Sequence, residues 1–406
     1  MAWLLEEVER DWLAEEAKRL LAFGARSRHP DGGFGWLDAE GEIAEARPVQ
    51  LWITARMTHC FALGELIGDH RSHALVEHGL ASLAGRFQDR DHGGWYAACD
   101  SDGPSSRVKE TYGHSFVVLA ASSALVAGHA SAAPLLEDAL DCFEQRLWSE
   151  EHGMVVDAWD EGFTVLDPYR GLNANMHTVE AFLAASDATG DPRWRERALR
   201  ITSRVLREYA PEWQWRLPEH FDTAWRPLPE YNRDRAADPF RPYGATVGHG
   251  LEWARLAINL EDSGGSSADW LADGAARLFD RAVADGWTVD GAPGFVYTTD
   301  WHGQPVVRQR MHWVAAEGTA AAAALGRRTG EARFATAYRS WWDHIREHFV
   351  DHAHGSWHHE LDSHLRPSAT VWEGKPDIYH ALQATLVPRL PTSGSIAAAL
   401  RREQDA

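Results

Sequence analysis

The chain has 406 residues, 44% of them hydrophobic, and a formal net charge of −20. That length suits one large domain or two to three ordinary ones with a sizeable core. The acidity excludes a protein that tracks nucleic-acid phosphates, disfavours an anionic membrane surface and reads as solubility.

From the N-terminus, Met1 to Arg19 is charged throughout and holds no long apolar run. Neither a signal peptide nor a membrane span is expected there, and the cytoplasm is the expected compartment. Cys60, Cys99 and Cys142 stand apart with no CxxC pair. They fit a reducing compartment and give neither a disulfide framework nor a zinc knuckle. A helix over 4–23 comes first. A short motif then recurs: glycine, strand formers, and Asp or Gly. It appears at Gly32-Gly33-Phe34-Gly35-Trp36-Leu37-Asp38, Gly93-Gly94-Trp95-Tyr96 and Gly153-Met154-Val155-Val156-Asp157. Glu219-His220-Phe221-Asp222 is a degenerate copy without glycine. Gly294-Phe295-Val296-Tyr297 and Gly355-Ser356-Trp357-His358 complete the series. Each reads as a β-hairpin or turn.

Between the hairpins the apolar spacing turns helical. It predicts helix pairs at 51–66 and 73–87, 115–126 and 133–147, 178–188 and 194–209, 248–260 and 268–285, and 314–325 and 332–349. One repeat is thus two helices and a hairpin, about 65 residues. A lone helix pair cannot bury both faces, and no polar capping repeat is visible, so the pairs should close on themselves. The expected fold is all-α: an (α/α)6 barrel with short β-hairpins in the connections, one domain over 1–406. The N-terminal helix would pair with Tyr379–Leu386 to close the ring. The 20 Trp and 22 His are many; indoles suit both core and sugar platforms.

In such a barrel, polar residues on apolar inner helices point at a pocket. Arg56 lies in Leu51-Trp52-Ile53-Thr54-Ala55-Arg56-Met57, where a charge needs a partner or a ligand. Tyr112 and His114 sit in Glu110-Thr111-Tyr112-Gly113-His114, just before the next apolar helix. Asn173 and His177 share a face at i, i+4. His249 and Glu252 stand at i, i+3, a spacing that lets the carboxylate orient the imidazole. Trp313 and Glu317 again share a face. The stretch Trp372-Glu-Gly-Lys-Pro-Asp-Ile-Tyr-His380 breaks the chain just before a helix that carries His380. His352, His354, His358 and His359 form a tempting cluster, but they fall in the sixth hairpin and read as a turn and strand. No metal site is expected, because the His249–Glu252 pair has no third ligand of obvious spacing.

The sixfold layout, Gly248-His249-Gly250-Leu251-Glu252, Asn173-Ala-Asn-Met-His177 and Gly374-Lys-Pro-Asp-Ile-Tyr-His380 together resemble the N-acylglucosamine 2-epimerase superfamily, over nearly the whole chain. Within it, the Gly-Lys-Pro-Asp stretch looks most like the aldose–ketose isomerase branch. The resemblance implies two essential histidines at His249 and His380. It further implies sugar contacts at Arg56, Tyr112, Asn173, His177, Glu252 and, less directly, Arg241. Trp313, Glu317 and Trp372 join them as candidate contacts. It implies a monosaccharide substrate; the acidic charge argues against a nucleic-acid or membrane partner. Carbonyl migration from C1 to C2 needs ring opening and two proton transfers, for which imidazole is suited. No cofactor is required by that chemistry. The alternatives are a sugar 2-epimerase of the same superfamily and, further off, an (α/α)6 glycoside hydrolase, which would need a carboxylate pair across the scissile bond.

Overall fold

A computed structural model describes residues 6–264 and 269–406. The helices are α1 (Glu7–Gly24), α2 (Leu51–Leu66), α3 (Ser72–Leu83), α4 (Thr111–Ala127), α5 (Ala132–Cys142), α6 (Leu172–Thr189) and α7 (Pro192–Arg204). They continue with the one-turn α8 (Ala210–Glu212), α9 (Val247–Gly264), α10 (Asp269–Gly286), α11 (His312–Thr329), α12 (Ala332–His344), α13 (Tyr379–Leu386) and α14 (Ile396–Asp405). The contacts divide into two compact units. Among the described residues, the first gathers 18–201, 376–379 and 394–406; the second gathers 6–17, 202–264, 269–375 and 380–393.

In the first unit α4 packs between α2 and α6, while α3 lies on α2 and α5 on α4. Almost every residue of α2 and α4 is buried, as expected of helices apolar all round. Their partners bury one stripe: α3 hides Leu75, Val76, Gly79, Leu80 and Leu83, and α5 hides Leu135, Leu136, Ala139 and Leu140. In the second unit α9 and α11 are the buried helices, backed by α10 and α12. The buried helices begin earlier than apolar spacing predicts, at Thr111, Leu172 and His312. Their first turns hold polar residues that interrupt the apolar pattern. Three outer helices end instead in a widened π-type turn, at Phe143–Leu147, Val205–Tyr209 and Ile345–Phe349.

Each predicted hairpin forms, and a repeated latch ties several to the helix that follows. Phe34 N donates to Thr54 Oγ1 at 3.2 Å. Trp95 N donates to His114 Nε2 at 3.0 Å. Val155 N donates to Asn175 Oδ1 at 2.9 Å. The acceptor is always the fourth residue of a buried helix. His114 also contacts the Glu110 carbonyl through Nδ1, at 2.7 Å. It is therefore a neutral structural imidazole, and burial pushes its pKa down to about 4.

A basic residue just before a buried helix or its approach reaches back to an aspartate in a hairpin. Lys109 Nζ meets Asp89 at 2.8 Å, Lys375 Nζ meets Asp351 at 2.6 Å, and Arg310 meets Asp290 at 2.5 Å. Asp89 and Asp351 each also accept two backbone N–H groups of their own turn. In the sixth hairpin His352 and His354 are exposed, while His358 and His359 meet other side chains. His358 lies 3.8 Å from Asp351, and His359 stacks on His312 with centroids 3.8 Å apart.

Many indoles are core. Trp95, Trp253, Trp341, Trp342 and Trp357 are fully buried. Trp95 Nε1 donates to the Leu83 carbonyl and Trp357 Nε1 to Glu16 of α1, each at 2.8 Å. The C-terminal helix α14, absent from the sequence reading, covers the ends of α2, α4 and α6. Ser395 caps it by accepting from Ala398 N, while Arg401 donates to the Val126 carbonyl and Gln404 to that of Leu66.

Candidate active site

The candidate residues occupy a repeated register. Arg56, His177, Glu252 and Glu317 are the sixth residues of α2, α6, α9 and α11; Tyr112, Asn173, Trp313 and His380 are the second residues of α4, α6, α11 and α13. Second and sixth positions share a face. The same rule adds Trp52 and Phe116, which reading by polarity alone passes over.

In the first unit the centre is Arg56. Its guanidinium pairs with Asp377 at 3.2 Å and donates to Tyr112 Oη at 2.8 Å. Aromatic faces enclose it: Phe116 at 4.3 Å, Tyr379 at 4.6 Å and Trp52 at 5.1 Å. Burial would lower its pKa, but Tyr112 and Asp377 outweigh burial and raise it, so Arg56 stays cationic. Asp377 also accepts from Tyr379 N at 2.8 Å, which caps α13. His177 packs on Phe116 and Tyr112, with centroids 4.7 and 5.3 Å apart. Tyr379 Oη donates to Glu180, one turn beyond His177. Asn173 is half-buried, and its neighbour Asn175 is the hairpin latch.

In the second unit two imidazoles flank one indole. Trp313 lies 5.2 Å from His249 and 5.6 Å from His380, centroid to centroid. Gly248 makes this possible, since a Cβ there would come within 2.3 Å of the Trp313 ring. Each histidine sets Nδ1 against a buried carboxylate: His249 meets Glu219 at 2.9 Å, and His380 meets Glu317 at 2.9 Å. The spacing argument named Glu252 as the carboxylate that orients His249; the carboxylate beside its Nδ1 is Glu219 of the degenerate hairpin. Fold geometry overrides i, i+3 spacing here, because the hairpin approaches the ring from another element. Glu317 also receives Arg255 Nε at 2.9 Å, and Arg255 Nη2 lies 3.7 Å from Glu252. Burial would raise the Glu317 pKa; the Arg255 charge and the His380 contact outweigh it and hold the carboxyl ionised. Glu317 thus steadies His380, where the sequence suggested a sugar contact.

Glu252, Glu317 and His380 bring ligand atoms within 4.8 Å of one another. Arg255 already neutralises these carboxylates, so the donor set suits an organised charge network rather than a metal cage. Trp372 and Arg241 sit on loops. The carboxylate of Glu360 gathers Ser368 Oγ, Thr370 N, Val371 N and Trp372 N, which fixes the Trp372 loop. Trp372 meets Phe240, the neighbour of Arg241, with centroids 5.2 Å apart. Arg241 N donates to Asp238, and its carbonyl accepts from Asn232.

Sequence reasoning missed Glu219, Arg255 and Asp377. The signal for Arg255 was available, as a cation inside Trp253-Ala254-Arg255-Leu256. Glu219 was visible only as a hairpin that had lost its glycine.

The described helices include none long and apolar enough to cross a membrane. Residues 32–384 match the N-acylglucosamine 2-epimerase (GlcNAc 2-epimerase) family. A D-mannose isomerase of Thermobifida fusca is 51% identical over 98% of both chains. A D-mannose isomerase of Pseudomonas cannabina pv. alisalensis is 47% identical over 98% of this chain and 97% of its own. A crystal structure of a D-mannose isomerase superposes with a TM-score of 0.88 at 27% identity, over 94% of this chain and 98% of that one. The fold is accordingly the all-α (α/α)6 barrel that the repeats led us to expect.

Proposed function

The chain belongs to the N-acylglucosamine 2-epimerase family, and from that premise we propose that it is an aldose–ketose isomerase interconverting D-mannose and D-fructose. Relatives at 51% and 47% identity, both named D-mannose isomerase, support the reading. The observation that carries it is the pair of histidines, each backed by a buried carboxylate and both against Trp313.

The chemistry assigned to these residues follows. For His380 the Glu317 carboxylate on Nδ1 fixes the tautomer and leaves Nε2 as the reacting nitrogen. His380 takes the proton from C2 of the open-chain aldose; the released pair forms the C1–C2 double bond while O1 gains a proton. The resulting cis-enediol receives a proton at C1 and loses one from O2, which gives the ketose. Delivery on one face lets a single imidazole serve both carbons. His249 assists ring opening by moving a proton between O5 and O1. Arg56 supplies fixed positive charge for the enediolate oxygen, held ready by Asp377 and Tyr112. Asn173, His177, Glu252, Arg241 and Trp372 complete the sugar contacts, and Trp313 offers its ring face to the sugar. One catalytic domain spans the chain. The buried unpaired Cys60, Cys99 and Cys142 suit a cytoplasmic setting.

The test is incubation of D-mannose with purified protein in the presence of a chelator, with products separated by chromatography. Fructose is expected, and His249→Asn and His380→Asn should each abolish its formation. Glucose as the main product would move the protein to 2-epimerisation. No conversion of mannose, or turnover that survives both substitutions, would sink the assignment.

A further inference from the structure

Away from the histidine pair, two further histidines and two glutamates converge where α2 ends, α3 begins and α4 turns toward α5. Gly128, in the left-handed region at φ 109°, ends α4 and places His129 in the turn. The His129 side chain is 2% exposed. Its Nε2 lies 2.7 Å from Glu65 Oε2, and its Nδ1 lies 2.5 Å from Glu77 Oε1. The other oxygen of Glu65 lies 3.1 Å from Nδ1 of His73. The two rings stack with centroids 4.8 Å apart and planes 28° apart. One ligand atom each from Glu65, His73 and His129 falls within 4.8 Å of the others.

We propose that Glu65, His73 and His129 form a binding site for a borderline divalent transition metal, with Zn(II) as the biological ion. Two imidazole nitrogens and a carboxylate are a zinc donor set. Ligand atoms around a tetrahedral ion stand about 3.3 Å apart at bond lengths of about 2.0–2.1 Å. The printed approaches, 2.7 Å from His129 to one Glu65 oxygen and 3.1 Å from His73 to the other, bracket a site that must open and turn slightly to hold an ion, and the His73 side chain, 63% exposed, can supply that movement. Glu77 plays the outer part: a carboxylate on the far nitrogen of a ligating imidazole fixes its tautomer and aims its lone pair at the ion. The exposed side of His73 leaves room for a solvent ligand. Of the other three clusters of this kind among the described residues, two carry a built-in cation instead. Lys109 sits on Asp89 of the Asp89–His92–Glu161 group, and Arg255 sits on Glu317 of the Glu252–Glu317–His380 group. The site would join one helix pair to the turn that begins the next, as a metal brace rather than a catalytic centre.

The experiment uses tag-free full-length protein, stripped with a chelator and dialysed. It is titrated with zinc chloride by calorimetry and with Co(II) by visible absorption. About one equivalent should bind with the intense visible bands of low-coordinate Co(II), and the thermal midpoint should rise with zinc concentration. Glu77→Gln should weaken binding by about 10–100-fold. His73→Ala, at an exposed position, should fold normally, lose the site, and turn over sugar as the stripped wild type does. No saturable binding, or zinc affinity unchanged by His73→Ala, would overturn the proposal. Because sugar turnover of the stripped protein is read separately, failure here leaves the isomerase reading intact.

Discussion

At the scale of single residues, the proposed chemistry depends on charges taken out of water and paired. Asp377 is the sharpest case, because one carboxylate both neutralises buried Arg56 and caps α13. Asp377→Asn keeps a cap acceptor and removes the countercharge. Breaking a buried pair from one side costs about 3–5 kcal/mol. We expect a clear fall in the urea midpoint together with a loss of kcat, both measured on the same preparation; an unchanged midpoint would show that the pair is not needed to hold Arg56. Glu219→Gln leaves the His249 ring in place but removes the charge behind it. A lower kcat is expected at nearly wild-type stability, and turnover identical to wild type would refute the orienting role. Gly248→Ala is a steric test of the same region. The new methyl would displace Trp313 from between the histidines, so turnover should fall while the circular dichroism spectrum stays native.

At the scale of elements, the helices were legible because burial imposes its period on them. The boundaries of α2 follow from apolar spacing directly. The starts of α4 and α6 did not, since Tyr112, His114, Asn173 and His177 put polar side chains in the turns where a core helix would show apolar ones. That interruption is itself the signature of the site. The partners of the histidines were illegible for another reason. Glu219 and Glu317 lie far from His249 and His380 in sequence, and only the packing of separate elements brings each pair together. The C-terminal helix was missed because its ten residues show little beyond a Ser cap and an alanine run. Its bonds to the Val126 and Leu66 carbonyls imply that it seals the exposed ends of α2 and α4. Truncation after Gly394 should lower the thermal midpoint by several degrees with the far-ultraviolet spectrum largely retained; an unshifted midpoint would mean that the helix contributes no stability.

At the scale of the whole molecule, buried neutral histidines set the acid limit. Burial pushes His59 down to about 3, and His114 and His344 each to about 4, from an ordinary value of 6.5. The unfolded chain therefore takes up these protons first. Stability should be fully present above about pH 6.5 and decline toward pH 4, each histidine adding at most about 1.4 kcal/mol per pH unit. The hairpin aspartate paired with Lys375 acts lower: Asp351 is held at about 2 by Lys375 and backbone donors that outweigh burial, so its contribution persists to more acidic conditions. Urea midpoints measured across this range should slope downward with acid. His114→Asn, which copies the latch of α6, should flatten the slope by one proton's worth. A wild-type midpoint independent of pH between 6.5 and 4 would contradict the assignment.

The latch has one more consequence. Fourth positions of α2, α4 and α6 hold hairpins, while second and sixth positions carry candidate sugar-facing groups, and the two sets do not coincide. Inheritance can therefore edit one set without rewriting the other. A library randomised at Trp52, Tyr112, Asn173 and Trp313 should yield mostly folded proteins with altered sugar preference. The same library at Thr54, His114 and Asn175 should yield mostly aggregates. Diversification of substrate in such a scaffold would then proceed by small lateral steps around a constant frame.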